Sequence, residues 1–134
     1  MPAPKLPQQI VVSYVPYDLA DREVRLDLYG DVADQIIAAR KLREQNGYVP
    51  VAVITFDPTK SVESNLEHAF RLMQNGVASD SWTLYPPDGL KPLVEPINEN
   101  GQQYGHRSAD IGDLFDVGGQ QFIVARFGFK NINA

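Results

Sequence analysis

The sequence predicts an α+β fold, in which a mostly antiparallel β-sheet carries two amphipathic helices and the chain ends in a C-terminal β-hairpin. Three observations lead to this prediction. Runs of β-branched and aromatic residues are separated by proline and glycine turns, two stretches repeat apolar residues at helical spacing, and a Gly-Gly pair joins the last two apolar runs. Because the chain has 134 residues, we expect a single domain over residues 1–134.

The first part of the chain is expected to contain a flexible start and two extended stretches. Residues 1–8 include three prolines and are predicted to be a flexible N-terminal segment. Residues 10–15 are β-branched and aromatic, which predicts the first strand. Residues 24–28 alternate apolar with polar side chains, which favours a strand, although so short a stretch could equally begin a helix.

The next two elements are a helix and a strand. Residues 31–46 repeat apolar residues near helical spacing, with Asp31 as the N-cap and Asn46-Gly47 as the C-cap signal. Residues 49–56 are the most hydrophobic segment, and we expect them to form the central strand of the sheet.

A second helix is predicted to begin after Ser61, which can cap it, and to end near Asn75-Gly76. Its apolar residues recur at i, i+4, i+7, i+8 and i+11. They are Val62, Leu66, Ala69, Phe70 and Met73.

The C-terminal half is predicted to be mainly extended. Trp82, Leu84 and Tyr85 suggest a short strand, and residues 95–106 are expected to form a loop. Gly118-Gly119 lies between two apolar runs and predicts the closing hairpin, because glycine adopts positive φ at little steric cost. The predicted order is ββαβαβ followed by ββ.

Composition limits the classes of function. Twelve Lys and Arg stand against 17 Asp and Glu, so the net charge is −5, and non-specific attraction to nucleic acid or anionic lipid is disfavoured. The absence of cysteine excludes disulfides, thiolate nucleophiles and sulfur-ligated metals. The start of the sequence has neither a signal-peptide pattern nor an apolar span, which predicts a cytoplasmic protein.

Candidate catalytic and ligand-binding groups are sparse. Ser108, His106 and Asp113 can be combined into a nucleophilic triad, but no nucleophile-elbow pattern surrounds them. His68 is expected to face solvent on the second helix, and no nucleotide-binding glycine loop or calcium-loop spacing occurs, so we predict no cofactor and no metal.

A base-stacking surface is a further possibility, although packing in the core is the better interpretation for most of its aromatic residues. Only three basic residues, Arg107, Arg126 and Lys130, stand near them. The aromatic residues are Tyr104, Phe115, Phe122, Phe127 and Phe129.

The segments 104–115 and 121–132 carry the most specific pattern in the chain. Arg107-Ser108, Gly112-Asp113-Leu114 and Phe127-Gly128-Phe129 occur in an order and spacing that resemble the C-terminal signature of the YodL-like domain family of bacterial mobile elements and phages. The resemblance covers about residues 48–132. It implies an accessory protein of a mobile element, often one that accompanies counter-defence proteins, without established catalytic chemistry.

The same motif also has a structural interpretation. Ser108 and Asp113 can bond to turn backbone, and Gly112 allows an unusual φ. Phe127 and Phe129 lie two residues apart and are expected to pack on one sheet face, with Gly128 between them.

The functional expectation is therefore a small acidic protein that binds and modulates a host protein in the bacterial cytoplasm. Its partner would be a basic, nucleic-acid-binding component of a defence system, as in antirestriction or anti-CRISPR inhibition. A small nucleic-acid-binding module and a hydrolase-like enzyme are the alternatives, and the oligomeric state is left open. The candidate contact residues are Trp82, Tyr85, Tyr104, His106 and Arg107.

Overall fold

The computed structural model describes residues 9–16, 18–19 and 21–133. The predicted flexible segment, residues 1–8, lies outside them. The described residues form three helices and eight strands. In chain order these are β1 (Gln9–Tyr14), α1 (Arg22–Leu28), α2 (Val32–Glu44), β2 (Val49–Thr55), α3 (Val62–Leu72), β3 (Leu90–Pro92), β4 (Ile97–Glu99), β5 (Gln102–Tyr104), β6 (Leu114–Val117), β7 (Gln120–Val124) and β8 (Phe129–Asn131).

Six of the strands form one sheet in the order β3-β2-β1-β6-β7-β8, and every pairing in it is antiparallel. Strands β4 and β5 form a separate two-stranded hairpin. The predicted α+β class with a mostly antiparallel sheet is confirmed.

Helices cover both faces of the sheet. Strand β6 alternates between them: Leu114 packs in the cluster that contains α1 and α2, whereas Phe115 and Val117 pack in the cluster that contains α3. The second cluster also includes buried residues from the segment between α3 and β6, among them Trp82 and Ala109. The sheet is thus the middle layer of three.

The predicted N-caps of both amphipathic helices and the C-terminal signal of α2 are confirmed, whereas α3 ends at Leu72, three residues before the predicted Asn75-Gly76. The Asp31 carboxylate accepts a hydrogen bond from the Asp34 N–H at 2.9 Å, and the Ser61 hydroxyl accepts one from the Ser64 N–H at 3.0 Å. Asn46 has a positive φ of 53°, and the Gly47 N–H that follows donates to the Leu42 carbonyl at 2.8 Å.

The strand prediction for residues 24–28 is wrong, because this stretch is helix α1. Val24 and Leu28 are buried one helical turn apart, while Leu26 lies between them on the exposed side. Asp21 caps the helix by accepting a hydrogen bond from the Val24 N–H at 3.1 Å. The described chain therefore has a third helix that the sequence pattern did not distinguish from a strand.

The prediction that residues 49–56 form the central strand is also wrong. Strands β1 and β6 occupy the centre of the sheet, and β2 lies second from one edge. The hydrophobicity of β2 reflects burial: Val51, Ala52 and Ile54 are all covered and belong to the cluster beside α3.

Two predictions for the segment before β6 need correction. Trp82 and Leu84 lie in a turn rather than a strand, in which the Leu84 N–H donates to the Ser81 hydroxyl at 3.1 Å. Residues 95–106, predicted as a loop, contain the β4–β5 hairpin.

The C-terminal hairpin is confirmed as β6 and β7, joined through Gly118 and Gly119 with φ values of 60° and 93°. Strand β8 then adds a third strand beside β7, which the sequence analysis did not predict.

Candidate functional site

An ion pair between a half-buried arginine and a buried aspartate joins the two ends of the Arg107–Asp113 segment. The Arg107 guanidinium donates to both carboxylate oxygens of Asp113, with Nη1 at 2.6 Å from Oδ2 and Nη2 at 2.8 Å from Oδ1. Asp113 is fully buried. This two-point geometry fixes the guanidinium in one orientation.

The Asp113 carboxylate also accepts two backbone hydrogen bonds, from the Val15 N–H at 2.9 Å and from the Asp110 N–H at 2.8 Å. Burial raises the pKa of Asp113, while the hydrogen bond and charge of Arg107 and these two N–H groups act in the opposite direction. The carboxylate therefore ties the turn to the end of β1.

Arg107 makes further contacts within the fold. Its guanidinium donates to the Val15 carbonyl at 3.2 Å and lies 4.0 Å from the centroid of the Tyr14 ring. Its backbone carbonyl accepts from the Tyr14 hydroxyl at 2.9 Å and from the Trp82 indole N–H at 2.7 Å. Arg107 thus has a structural role, and its contact with a partner stays a prediction.

Trp82 is fully buried, so the prediction that it is an exposed contact residue is wrong. Its ring packs edge-on against Tyr14, with the centroids 5.9 Å apart, and lies 6.0 Å from the His106 ring. The indole anchors the turn that contains it to the core.

The three residues that could be combined into a triad have different partners in the structure. The Ser108 hydroxyl accepts a hydrogen bond from the Asn75 N–H at 2.9 Å, and His106 Nε2 lies 2.8 Å from the Glu95 carbonyl oxygen. The carboxylate that would orient the histidine is held by Arg107 instead. The fold therefore does not assemble a catalytic triad from these residues.

The predicted structural motif is confirmed in part. Gly112 has a φ of 93°, Ser108 bonds to backbone, and Phe129 packs against Phe115 with centroids 5.3 Å apart. Phe127, by contrast, is 84% exposed, so the prediction that it packs on the sheet face is wrong. The Ala125 N–H to Gly128 carbonyl bond closes the β7–β8 turn, which leaves Phe127 outside the strand ladder.

The predicted base-stacking aromatics do not share one exposed surface. Phe115 is fully buried, and Phe122 and Phe129 are half-buried against the cluster beside α3. Core packing is therefore confirmed for these three. Tyr104 and Phe127 are the exposed members of the set.

The β4–β5 hairpin projects from this framework. All six of its strand residues are exposed, and Ile97 lies opposite Tyr104 in the register. We call the exposed side chains of Ile97 and Tyr104, together with that of Tyr85 in the turn against the base of the hairpin, the hairpin surface. It offers aromatic and aliphatic side chains to the exterior.

Contacts beyond its strands hold the hairpin on the turn that begins at Ser81. Gly105 is the residue after β5, and it packs so closely against Ser81 that an added Cβ would collide with the Ser81 hydroxyl. The next backbone N–H, of His106, donates to the Thr83 hydroxyl at 3.1 Å, and the His106 ring reaches back to the Glu95 carbonyl. The candidate contact residue His106 therefore anchors the base of the hairpin.

The segment that carries the hairpin surface is acidic. Residues 80–104 contain four carboxylates and one lysine. The carboxylates are Asp80, Asp88, Glu95 and Glu99. Such a surface favours approach by a basic partner.

Sequence reasoning missed Ile97 and the hairpin, although a signal was present. Asn100-Gly101 stands between β4 and β5, and both residues have positive φ, 52° and 78°. An Asn-Gly pair is the strongest short hairpin signal, but the polar residues around it favoured a loop.

His68 is exposed on α3, as expected. Among the described residues, no group of three or more His, Cys, Asp or Glu side chains could hold a metal ion. No helix in the described part of the chain is both long and apolar enough to cross a membrane.

Comparison of the chain with protein-family models, with curated proteins and with solved structures gives no match.

Proposed function

We propose that this is a non-catalytic binding protein that uses the hairpin surface to bind and modulate a host protein. The observation that carries the proposal is the exposure of Tyr85 and Tyr104, 66% and 47%, on a segment anchored by buried contacts. Exposed tyrosines supply contact area at low conformational-entropy cost, and such residues dominate the energetics of many interfaces.

Anchoring favours binding because it reduces the cost of ordering the surface. The Trp82 indole, the Ser81 contact and the His106 hydrogen bonds hold the hairpin before any partner arrives. A preorganised surface loses less entropy on association.

The partner is proposed to be a basic protein of a bacterial defence system, bound in the cytoplasm. Four carboxylates against one lysine in residues 80–104 complement a surface that normally holds nucleic acid. The binding of nucleic acid by the protein itself has less support, because the Arg107 guanidinium is directed at Asp113 and Val15.

The YodL-like resemblance over residues 48–132 remains part of the proposal. The residues that carry it, Arg107-Ser108 and Gly112-Asp113, build the turn that follows the hairpin in the chain. A family of mobile-element accessory proteins with such a turn is compatible with counter-defence binding, as in antirestriction or anti-CRISPR inhibition.

The test is affinity purification of the tagged full chain from bacterial host cells at moderate salt, with nuclease added to half of the sample and mass spectrometry of the bound proteins. The test variant is Tyr85→Ser/Tyr104→Ser. Tyr29→Ser is the matched control, since Tyr29 is a tyrosine of comparable exposure, 55%, at the end of α1.

We expect a stoichiometric protein partner that survives nuclease, is lost with the double variant and is kept by Tyr29→Ser. Recovery that depends on nucleic acid would contradict the proposal. Equal recovery of the partner by the double variant and by Tyr29→Ser would show that the interface lies outside the hairpin surface.

A further inference from the structure

The described face of the sheet beside α3 has an apolar groove at one end. Two adjoining cavities of about 590 and 370 Å3 lie between α3 and strands β7 and β8, one on each side of Phe129. Together they form what we call the α3 groove. Its apolar lining comes from Phe70, Val77, Phe122, Val124 and Phe129.

The groove arises because one helix is too narrow for this face. A helix about 10 Å wide covers roughly two strands spaced about 4.8 Å apart. Beyond α3, Trp82 packs against Tyr14 at the end of β1, and Ala109 belongs to the same buried cluster. Phe122 and Phe129 stay half-buried at the opposite end, over β7 and β8.

Charges are ordered along the side of α3 that lines the groove. Glu63 and Glu67 lie toward its N-terminus and Arg71 toward its C-terminus, each one helical turn from the next. The groove therefore has an acidic end and a basic end, with apolar side chains between them.

We propose that the α3 groove binds an amphipathic helix of a partner protein, oriented antiparallel to α3. The lining along α3 runs from Val62 to Arg71, nine residues of rise or about 14 Å, which corresponds to about two and a half helical turns. A helix in this orientation brings acidic residues of its first half to Arg71 and basic residues of its second half to Glu63 and Glu67.

That charge order is the one that any helix prefers, because carboxylates stabilise its N-terminus and cations its C-terminus. The occupant would pack its apolar stripe on Phe129 and complete the helical layer over the sheet. This second surface lies on the α3 side and does not depend on the hairpin surface, so either can fail without the other.

The test uses two synthetic helical peptides of about 14 residues with the same apolar stripe at helical spacing. One has glutamates in its first half and lysines in its second half, and the other has these charges exchanged. Affinity is measured by fluorescence anisotropy, and the site is mapped by backbone amide chemical shifts of the full chain.

We expect saturable shifts at Phe70, Val77 and Phe129, and about fivefold to tenfold tighter binding of the first peptide. In Glu67→Lys/Arg71→Glu the preference should disappear, because Glu63 and Arg126 also line the groove and offset the exchanged charges. Val77→Asp should weaken binding, whereas Leu26→Asp should not, since both side chains are 61% exposed but Leu26 lies on α1.

Four results would overturn the proposal. They are no shifts at the groove, equal affinity for the two peptides, shifts along β8 that indicate an added strand, and a concentration-dependent dimer of the chain that shifts the same residues.

Discussion

Tyr14 and Trp82 donate to the same atom, the backbone carbonyl oxygen of Arg107, at 2.9 and 2.7 Å. Their rings also contact each other edge to face. One residue comes from the end of β1 and the other from the turn beneath the hairpin surface. The carbonyl thus joins the sheet, the turn and the Arg107–Asp113 segment into one unit.

Replacing Asp113 with Asn should destabilise the protein by about 1 to 3 kcal/mol, because the amide NH2 would face N–H donors of Arg107 and of Val15 or Asp110 from which the carboxylate oxygen accepts. Urea unfolding followed by the fluorescence of Trp82, the single tryptophan, measures the change. Asp88→Asn is the control: this aspartate is exposed in a turn and should change the free energy of unfolding by less than about 0.5 kcal/mol. Equal effects would contradict the structural role of the pair.

The pH dependence of that difference has a defined sign. Burial raises the pKa of Asp113 above its ordinary 3.8, so the folded state binds more protons than the unfolded state between the two values. Stability contributed by this group is present at low pH and falls as the pH rises through the folded pKa. Unfolding of the native protein and of Asp113→Asn across this range measures it. An advantage of the native protein that grows with rising pH would mean that Arg107 outweighs burial.

Tyr48→Phe should cost about 1 kcal/mol, because the Tyr48 hydroxyl donates to the Gly112 carbonyl at 2.7 Å. Burial also raises the pKa of this phenol. Its contribution to stability is therefore present below about pH 10, the pKa of an unfolded tyrosine, and is lost as the pH rises through the folded value. Spectrophotometric titration of the native protein against Tyr48→Phe isolates this phenol. A difference that titrates at the ordinary value would contradict the assigned burial.

The sequence predicts best the helices that begin with a capping side chain. Asp31 and Ser61 each predict the start of a helix, because their side chains accept hydrogen bonds from backbone N–H groups of the first helical turn. Residues 24–28 were ambiguous because Val24 and Leu28 fit both a period of two and a helical turn. Only the exposure of Leu26, a tertiary fact, separates the two interpretations.

The candidate site could be predicted less well than the fold. The sequence motif contains both Arg107 and Asp113, but it does not show that they pair. The pairing depends on a turn that brings these two residues, six positions apart, into contact beside Val15. The sequence analysis places Trp82 at the surface, whereas in the structure its N–H donates to a backbone carbonyl 25 residues away in the chain. Contacts of this range leave no periodic signal in the sequence.

The fit between Gly105 and Ser81 gives the sharpest test of how the hairpin is anchored. Gly105→Ala should destabilise the protein by about 1 to 3 kcal/mol, because the new methyl group collides with the Ser81 hydroxyl. Ser81→Ala removes that hydroxyl and its bond from the Leu84 N–H, at a cost of about 1 kcal/mol. Unfolding of both single variants and of the double variant completes a thermodynamic cycle.

The collision predicts that the double variant is more stable than the sum of the single effects allows, by about 0.5 kcal/mol or more. If the losses in the free energy of unfolding are purely additive, Gly105 does not pack against Ser81. The same variants connect the fold to the proposed function, since Gly105→Ala should release the hairpin surface and weaken capture of the partner. Adding Ser81→Ala to that variant should restore part of the capture. Loss of the hydroxyl makes room for the methyl group added at position 105, while Tyr85 and Tyr104 are unchanged.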